Sequence, residues 1–359
     1  MSTILIKDSL RASVEAASGG SQTVLYTAKG QPTFMNIIKK FDMSSVVEGL
    51  AGTHPAFIIN GIEKSEIYVG TYSGTIRNGE LLSLPNQAPA ASSYTAYFNA
   101  SRANGAGHHM MTNAEWAALA LKAWKHGTMP QGNGYYGRSH LDATQFGRRV
   151  DGVDSQAGVT TGDPRILTGS GPVSFRHNGK YNGISDLAGN AKDMLQGVRT
   201  VLGELQVTTN NDSASLDLLT NESSMWRAID ARTGDLILPN GSGTTPYAVR
   251  VTNNASNTDP YTLKFTGTNI FNTQASASFP VSSRALNVLR KLAIWLPLDI
   301  WTENTMGGNN VNVSSEETVM SRGGHFSEAA AANIFSFRLG DSRSFPVNIL
   351  GSRPAYYKP

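Results

Sequence analysis

The chain contains no cysteine. Disulfides, thiolate metal ligands and cysteine nucleophiles are therefore excluded. Charge is also scarce: only 16% of the 359 residues are charged, the net charge is +3, and Lys and Arg form no continuous block. A nucleic-acid ligand is disfavoured, because clustered phosphate contacts supply most of the affinity for such ligands.

Long apolar runs are missing as well. The longest ones, such as Leu292–Leu298, are far shorter than the ~20 residues that a membrane-spanning helix needs. The first eight residues lack the apolar segment and cleavage site of a signal peptide. We therefore expect no membrane insertion, and synthesis of the protein in the cytoplasm.

What the sequence does contain favours an α+β fold with few helices, many short strands and long loops. Hydrophobic residues are 40% of the chain, enough for a core, and 36 glycines and 15 prolines are spread along it. Turn dipeptides such as Asn104-Gly105 and Asn178-Gly179 interrupt short apolar runs. No repeat of 20–50 residues is visible, which argues against a solenoid or propeller.

Helical spacing is clearest after Thr112, which forms a capping box with Glu115. Trp116, Leu119 and Ala123 then recur on one face, and Gly127 ends the segment. The same reasoning predicts four helices in all, over 94–102, 113–126, 222–229 and 284–293.

The chain divides into two regions by composition. Residues 2–42 alternate short apolar runs (4–6, 23–26 and 34–38) with Gly and Ser. We interpret these runs as small strands of an attachment or oligomerisation region over residues 1–50. The larger domain is predicted over 51–359, with an insertion rich in Thr, Asn and Ser at about 205–281.

Residues that could support catalysis are dispersed. The seven histidines are scattered, and the only adjacent pair, His108-His109, is expected to point to opposite faces of a strand. Walker, zinc-protease and nucleophile-elbow motifs are absent. Asp186, Asn190 and Asp193 could bind calcium through oxygen, or could instead cap turns. We expect no catalytic activity and no cofactor, apart from a possible structural calcium ion.

Four segments carry a family resemblance. The first segment is residues 107–134, which begin Gly-His-His-Met-Met-Thr-Asn-Ala-Glu-Trp. The second contains Asp186-Leu-Ala-Gly-Asn190. The third begins with Arg322-Gly-Gly-His-Phe and ends with Gly351-Ser-Arg-Pro-Ala. The fourth segment joins residues 14–20, 54–61 and 66–69. Together they resemble the C-type-lectin-like fold shared by formylglycine-generating enzymes and by phage tropism determinants diversified by retroelements.

The sequence also departs from that family. Lys192 and Met194 stand where the family has two tryptophans, Phe326 replaces another, and Ser352 replaces a phenylalanine. The enzyme branch holds copper with active-site cysteines, which this chain lacks. The resemblance therefore implies the tropism-determinant branch: a homotrimeric receptor-binding protein in the virion, at the tip of a phage tail fibre or baseplate.

The same resemblance implies a display surface for host adsorption between Arg322 and Gly351. It would bind a bacterial surface protein or glycan, next to other phage tail proteins. The residues predicted to form it are His325, Phe326, Ser327, Glu328, Arg338, Asp341, Ser344, Phe345, Val347 and Asn348, with Ala331 and Gly340 beside them.

Alternation of Phe335, Phe337 and Leu339 predicts that Ser336, Arg338 and Gly340 point away from the core. For a glycan receptor, the stacking candidates are Trp301, Phe345 and Tyr356. Two alternatives stay open: a structural tip or adaptor protein of the virion, and a metalloenzyme of the sulfatase-modifying-factor type. The latter would need three clustered His, Asp or Glu ligands.

Overall fold

The computed structural model describes residues 2–156, 158–215, 223–254, 256–264, 281–296, 310–311 and 316–359. Within these ranges the chain forms four α-helices and nineteen β-strands, most of them short. The predicted α+β class is therefore confirmed. The helices are α1 (Ser2–Ser18), α2 (Tyr94–Ala103), α3 (Asn113–Lys125) and α4 (Ser283–Lys291).

Local capping explains where three of the helices begin. The side chains of Ser93, Thr112 and Ser282 each accept a hydrogen bond from a backbone N–H of the first turn. The capping box between Thr112 and Glu115 is present in full. The helices predicted near 94, 113 and 284 are confirmed.

Two predicted elements are wrong. Residues 4–6 belong to helix α1 rather than to a strand, because Leu, Arg, Ala and Glu dominate residues 10–17 and favour helix. In place of the helix predicted over 222–229, Arg227–Ile229 is a strand. It is paired on both sides in a sheet, and its Ala228 and Ile229 are buried.

The strands, in chain order, are β1 (Gln22–Tyr26), β2 (Pro32–Lys39), β3 (Ile58–Ile59), β4 (Ile62–Glu63), β5 (Glu66–Gly70), β6 (Gly74–Arg77), β7 (Glu80–Ser83), β8 (His108–Met110), β9 (Lys192–Val201), β10 (Glu204–Val207), β11 (Arg227–Ile229), β12 (Leu236–Ile237), β13 (Arg250–Thr252), β14 (Thr262–Lys264), β15 (Asn310–Val311), β16 (Glu317–Arg322), β17 (Phe337–Asp341), β18 (Leu350–Gly351) and β19 (Pro354–Tyr356).

One sheet joins the two ends of the chain. Its five strands lie in the order β1-β2-β5-β19-β8, all pairs being antiparallel. Strand β2 pairs with β5 over five residues, from Met35–Gly70 to Lys39–Glu66. Strands β1 and β2 thus share a sheet with the C-terminal strand, and the attachment role of residues 1–50 stays a prediction.

The second sheet has ten strands, with β9 and β16 at its centre. Its main path runs β12-β11-β10-β9-β16-β17-β15, and β13, β14 and β18 lie beside it. The insertion predicted at about 205–281 supplies β11 to β14 and thereby extends this sheet. Two hairpins, β3-β4 and β6-β7, stand apart from both sheets.

Both faces of β9 are covered, which explains why all its residues but the last are buried. Helix α3 contributes Trp116 and Leu119 to the core on one side, together with Leu195 of β9. Met194 packs in a second cluster that includes Tyr97 of α2. Alternate side chains of a strand point to opposite faces, so β9 contributes to both cores. No helix in the described ranges has the length and apolar character needed to cross a membrane.

Candidate functional site

The predicted display surface begins at a buried arginine. Arg322 Nε donates a hydrogen bond to Asn113 Oδ1 at 2.7 Å, while its other nitrogens donate to the carbonyl oxygens of Phe335, Leu292 and Ala293 at 3.0–3.2 Å. Its side chain is fully buried. Burial lowers the pKa of Arg322 to about 9. The arginine therefore ties β16 to α3 and to the end of α4.

A second buried arginine closes the surface. Arg353 Nε donates to Asp193 Oδ2 at 2.6 Å, and its terminal nitrogens donate to the carbonyl oxygens of Gly70, Ser185 and Asp186. Burial raises the pKa of Asp193, and the charge of Arg353 opposes that rise. Both ends of the predicted surface are thus held by buried side chains.

The Gly189-Asn190 turn is also structural. A Cβ on Gly189 would lie 2.2 Å from the carbonyl oxygen of Asn133, and the φ angle of Gly189 is +70°, a conformation that favours glycine. Asn190 Oδ1 accepts hydrogen bonds from the Ile166 backbone N–H at 2.7 Å and from Asn133 Nδ2 at 3.2 Å. The turn joins the loop after α3 to the start of β9.

These contacts bear on the possible calcium site. Asp186 Oδ2 accepts from the Gly169 N–H, and Asn190 and Asp193 bind the donors already described. Each of the three side chains therefore has one oxygen bound to a donor that is distant in the chain, whereas Asp186 Oδ1 and Asp193 Oδ1 are buried without a hydrogen-bond partner in the described part of the chain. The calcium and the capping alternatives both stay predictions. Over the described ranges, no three His, Asp or Glu side chains are grouped closely enough to hold a metal ion.

The predicted display residues differ in exposure. Ser327, Ser344, Phe345 and Asn348 are exposed, and the side chains of His325, Glu328, Arg338 and Val347 are half-buried, as are Ala331 and Gly340. Phe326 and Asp341 are buried. These two support the surface rather than form it, because Phe326 packs against Tyr136 and Asp341 binds Arg338 and Ser321.

One prediction about the facing of side chains is wrong. Phe335, Phe337 and Leu339 are buried as expected, and Arg338 and Gly340 are half-buried. Ser336, however, is buried, since it precedes β17 and its hydroxyl donates to the Asn333 carbonyl oxygen at 2.8 Å. The alternation of a strand does not apply to a residue that lies before the strand.

The display residues form two groups near opposite ends of β16. His325, Ser327 and Glu328 follow Arg322, whereas Ser344 and Phe345 follow Arg343, which binds Glu317. Glu317 and Arg322 are the two ends of β16 and lie about 17 Å apart at the usual rise per strand residue. A ligand that touched both groups would have to be an extended chain or a protein surface.

The first group centres on a carboxylate. Glu328 Oε1 lies 2.6 Å from Lys192 Nζ and 3.2 Å from His325 Nε2. Burial by itself would raise the pKa of Glu328, but the contacts with His325 and Lys192 outweigh it and lower the pKa to about 2. Lys192 thus orders the start of the surface.

The second group rests on an ion-pair network. Glu317 accepts from Arg199 at 2.7 Å and from two nitrogens of Arg343 at 2.7 and 2.9 Å. The Arg343 guanidinium also lies 4.9 Å from the centroid of the Tyr94 ring. Arg343 is therefore fixed between β16 and α2, and it holds the backbone that carries Ser344 and Phe345.

A cavity of about 430 Å³ opens beside this network. Arg199 lines it, with the guanidinium carbon 4.3 Å from the centroid of the Trp226 ring. Exposed Leu202 and Leu238 form part of its wall. Sequence reasoning did not find this cavity, because its walls come from four segments that are distant in the chain.

Sequence reasoning also missed an aromatic loop beside the first group. The Tyr136 N–H donates to the Phe326 carbonyl oxygen at 2.7 Å, and the two rings lie 5.9 Å apart. Tyr135 and Phe146 of the same loop are exposed. The run Gly132-Asn-Gly-Tyr-Tyr-Gly137 was the available signal, since aromatic residues in a glycine-rich loop are typical of binding surfaces.

The glycan-stacking candidates separate in the structure. Phe345 has 51% of its surface exposed. Tyr356 is half-buried in the other sheet, with its ring 4.8 Å from His108 and 5.4 Å from Tyr68. Trp301 lies outside the described residues. Of the two described candidates, Phe345 alone belongs to the display surface.

No protein-family model matches the chain, and no curated protein matches its sequence.

Proposed function

We propose that this protein is a non-catalytic receptor-binding protein of a phage tail fibre or baseplate tip, with a C-type-lectin-like fold. It adsorbs the virion to a bacterial surface protein or glycan through the display surface. Homotrimeric display on the fibre increases the effective concentration of each site, so a single site need not bind tightly. Residues 1–50 attach the domain to neighbouring tail proteins.

The observation that supports this proposal most is the contrast between framework and surface. Arg322 and Arg353 are fully buried and bind several partners each. Between them the chain exposes Ser327, Phe345 and Asn348. A rigid frame that presents aromatic and small polar side chains suits recognition, because such side chains bind with little loss of conformational entropy.

Cell binding tests the proposal directly. The purified, fluorescently labelled protein is incubated with a panel of bacterial strains, and the unlabelled protein is tested for its ability to block phage adsorption. We expect strain-specific binding that competes with the virus. A folded protein that binds none of the strains infected by its phage would contradict the proposal.

Substitution of Phe345 and Arg338 by alanine locates the binding surface. Because Phe345 is exposed and Arg338 is half-buried, the double variant should lose only about 1–2 kcal/mol of stability. Removal of two receptor contacts should weaken cell binding by about 30-fold or more. The matched control is Ile62→Ala with Arg77→Ala, an exposed pair on the two separate hairpins.

If the double variant, the control variant and the unchanged protein bind cells equally, the display surface is not the receptor-binding surface. A loss of cell binding together with a fall in melting temperature of more than about 5 °C would assign the pair to the core.

The structural alternative, a tip or adaptor protein, makes a different prediction. Several display side chains are already paired, such as Glu328 with Lys192 and Arg338 with Asp341. In an adaptor protein these pairs would only hold the loops, and substitutions over 325–348 would leave adsorption unchanged. The metalloenzyme alternative is tested by metal analysis of the purified protein.

A further inference from the structure

A second cavity lies at the C-terminal end of α3, lined by residues that belong neither to the display surface nor to its frame. Its volume is about 320 Å³, within the size range of small-ligand sites. One wall is apolar, formed by Ile38 of β2 and by Leu119 and Ala123 of α3. The remaining residues that line it are Lys122, His126, Thr128, His177, Asn178 and Lys180.

The polar part of this cavity is basic. The two lysines Lys122 and Lys180 supply its positive charge, and none of its described lining residues is acidic. No ion pair joins Lys122 or Lys180 to a carboxylate in the described part of the chain. The cavity therefore has an excess of positive charge with no counter-ion from the described protein.

Lys122 shows the imbalance most clearly. Its ammonium lies 5.3 Å from the centroid of the Phe41 ring, a contact that stabilises the cation without neutralising it. Burial lowers the pKa of Lys122, and no carboxylate opposes this effect. A half-buried ammonium without a carboxylate partner favours an anion beside it.

His177 provides a neutral donor. Its Nδ1 accepts a hydrogen bond from the Ile184 N–H at 2.8 Å, so the ring proton is on Nε2. Burial, together with the charges of Lys122, Arg353 and Arg176, lowers the pKa of His177 to about 4. Near neutral pH the ring is therefore uncharged and offers one N–H.

We propose that this cavity is a binding site for a phosphate monoester with a small apolar body. Two ammonium groups act as point charges around a tetrahedral anion, which is how lysine binds phosphate. A doubly charged phosphate monoester also gains more from two ammonium groups than a singly charged carboxylate does. The apolar wall of Ile38, Leu119 and Ala123 contacts the organic group of the ester. This site is independent of the receptor-binding proposal.

Phenyl phosphate is the probe, because it combines a phosphate monoester with an apolar ring. Its binding to the full chain is measured by isothermal titration calorimetry and by the rise in melting temperature that it causes. Inorganic phosphate, which lacks the apolar body, and benzoate, which has a planar carboxylate, should both bind more weakly. Equal binding of benzoate and phenyl phosphate would overturn the choice of phosphate.

Two variants and a matched control locate the site. Lys122→Gln and Lys180→Gln should each weaken phenyl phosphate binding about tenfold, since each removes one charge-assisted contact. Lys125→Gln, an exposed lysine in the last turn of the same helix that does not line the cavity, should bind as the unchanged protein does.

Lys122→Gln should also raise the melting temperature without ligand, because it removes a partly desolvated charge. If that variant does not fold, the exposed Lys180 still provides the test. The proposal would be overturned if Lys122→Gln, Lys180→Gln and the control Lys125→Gln weakened binding equally. It would also be overturned if the unchanged protein did not bind phenyl phosphate at millimolar concentration.

Discussion

Replacement of Arg322 by methionine is the most direct test of the buried frame. Arg322 is fully buried and its guanidinium donates to four acceptors, which are Asn113 Oδ1 and the carbonyl oxygens of Phe335, Leu292 and Ala293. Methionine approximates the aliphatic part of arginine and removes every donor. The variant therefore isolates the hydrogen bonds from the packing of the side chain.

The loss in free energy of unfolding follows from the four acceptors that the variant leaves without a donor. A buried acceptor without a donor costs about 1–3 kcal/mol, and four of them exceed the gain from removing a buried charge. Breaking a buried charged network by removing one member typically costs about 3–5 kcal/mol. For 359 residues, an unfolding entropy of about 2.1 cal/mol/K per residue converts this cost into a fall of about 4–7 °C in melting temperature.

Urea and thermal unfolding, followed by circular dichroism, measure this effect. The matched control is Arg338→Met on the neighbouring strand, where Arg338 is paired with Ser321 of β16. Arg338 has 32% of its side chain exposed, and its guanidinium binds Asp341 Oδ1. Asp341 is buried but keeps the hydrogen bond from the Ser321 hydroxyl, so the control should lose about 1–2 kcal/mol, a fall of about 1–3 °C.

A loss of less than about 1 kcal/mol for Arg322→Met would refute the reasoning, since the four acceptors would then have found other donors. An equal loss in both variants would show that the two arginines do not differ in role. Either result would also weaken the receptor-binding proposal, which depends on a rigid frame.

Two further predictions concern the same region. Gly189→Ala should lower the free energy of unfolding by about 3 kcal/mol or more, because the new Cβ would lie 2.2 Å from the Asn133 carbonyl oxygen. The control Gly127→Ala, at a similar φ of +65° with nothing within 4 Å, should lower it by only about 1 kcal/mol. Equal losses in thermal unfolding would exclude the clash as the cause. Glu328→Gln should destabilise the protein near neutral pH, because the folded-state pKa of about 2 is below the ordinary value of 4.5. The contribution of Glu328 to stability is therefore present above pH 4.5 and is lost as pH falls towards 2. Urea unfolding of the two proteins should converge over that window, and a constant difference down to pH 2 would contradict the assignment.

Elements defined by neighbours in the chain could be predicted from the sequence. Helix α3 follows from its capping box at Thr112 and from its apolar spacing, and Phe335, Phe337 and Leu339 were correctly assigned to the core. These features depend on residues two to four positions apart, whose geometry a helix or strand fixes. The exclusion of cysteine chemistry needed composition alone.

Elements whose conformation depends on pairing could not be predicted in the same way. Arg227–Ile229 is a strand because β10 and β12 pair with its two edges, and the local sequence gave no such indication. Residues 4–6 have β-branched character, yet they are part of α1. For Arg227–Ile229, pairing with the neighbouring strands outweighed the local preference. For residues 4–6, the helix that continues to Ser18 outweighed it.

The candidate site shows the same division. The sequence by itself predicted a cysteine-free α+β protein, and the family resemblance implied the display positions, of which Ser327, Phe345 and Asn348 are exposed. Only the tertiary structure decided what holds them, because Glu317 contacts Arg199 across 118 residues of sequence and Tyr136 contacts Phe326 from a separate loop. Such contacts depend on which strands pair and in which register, and register is a property of the whole sheet rather than of any one segment.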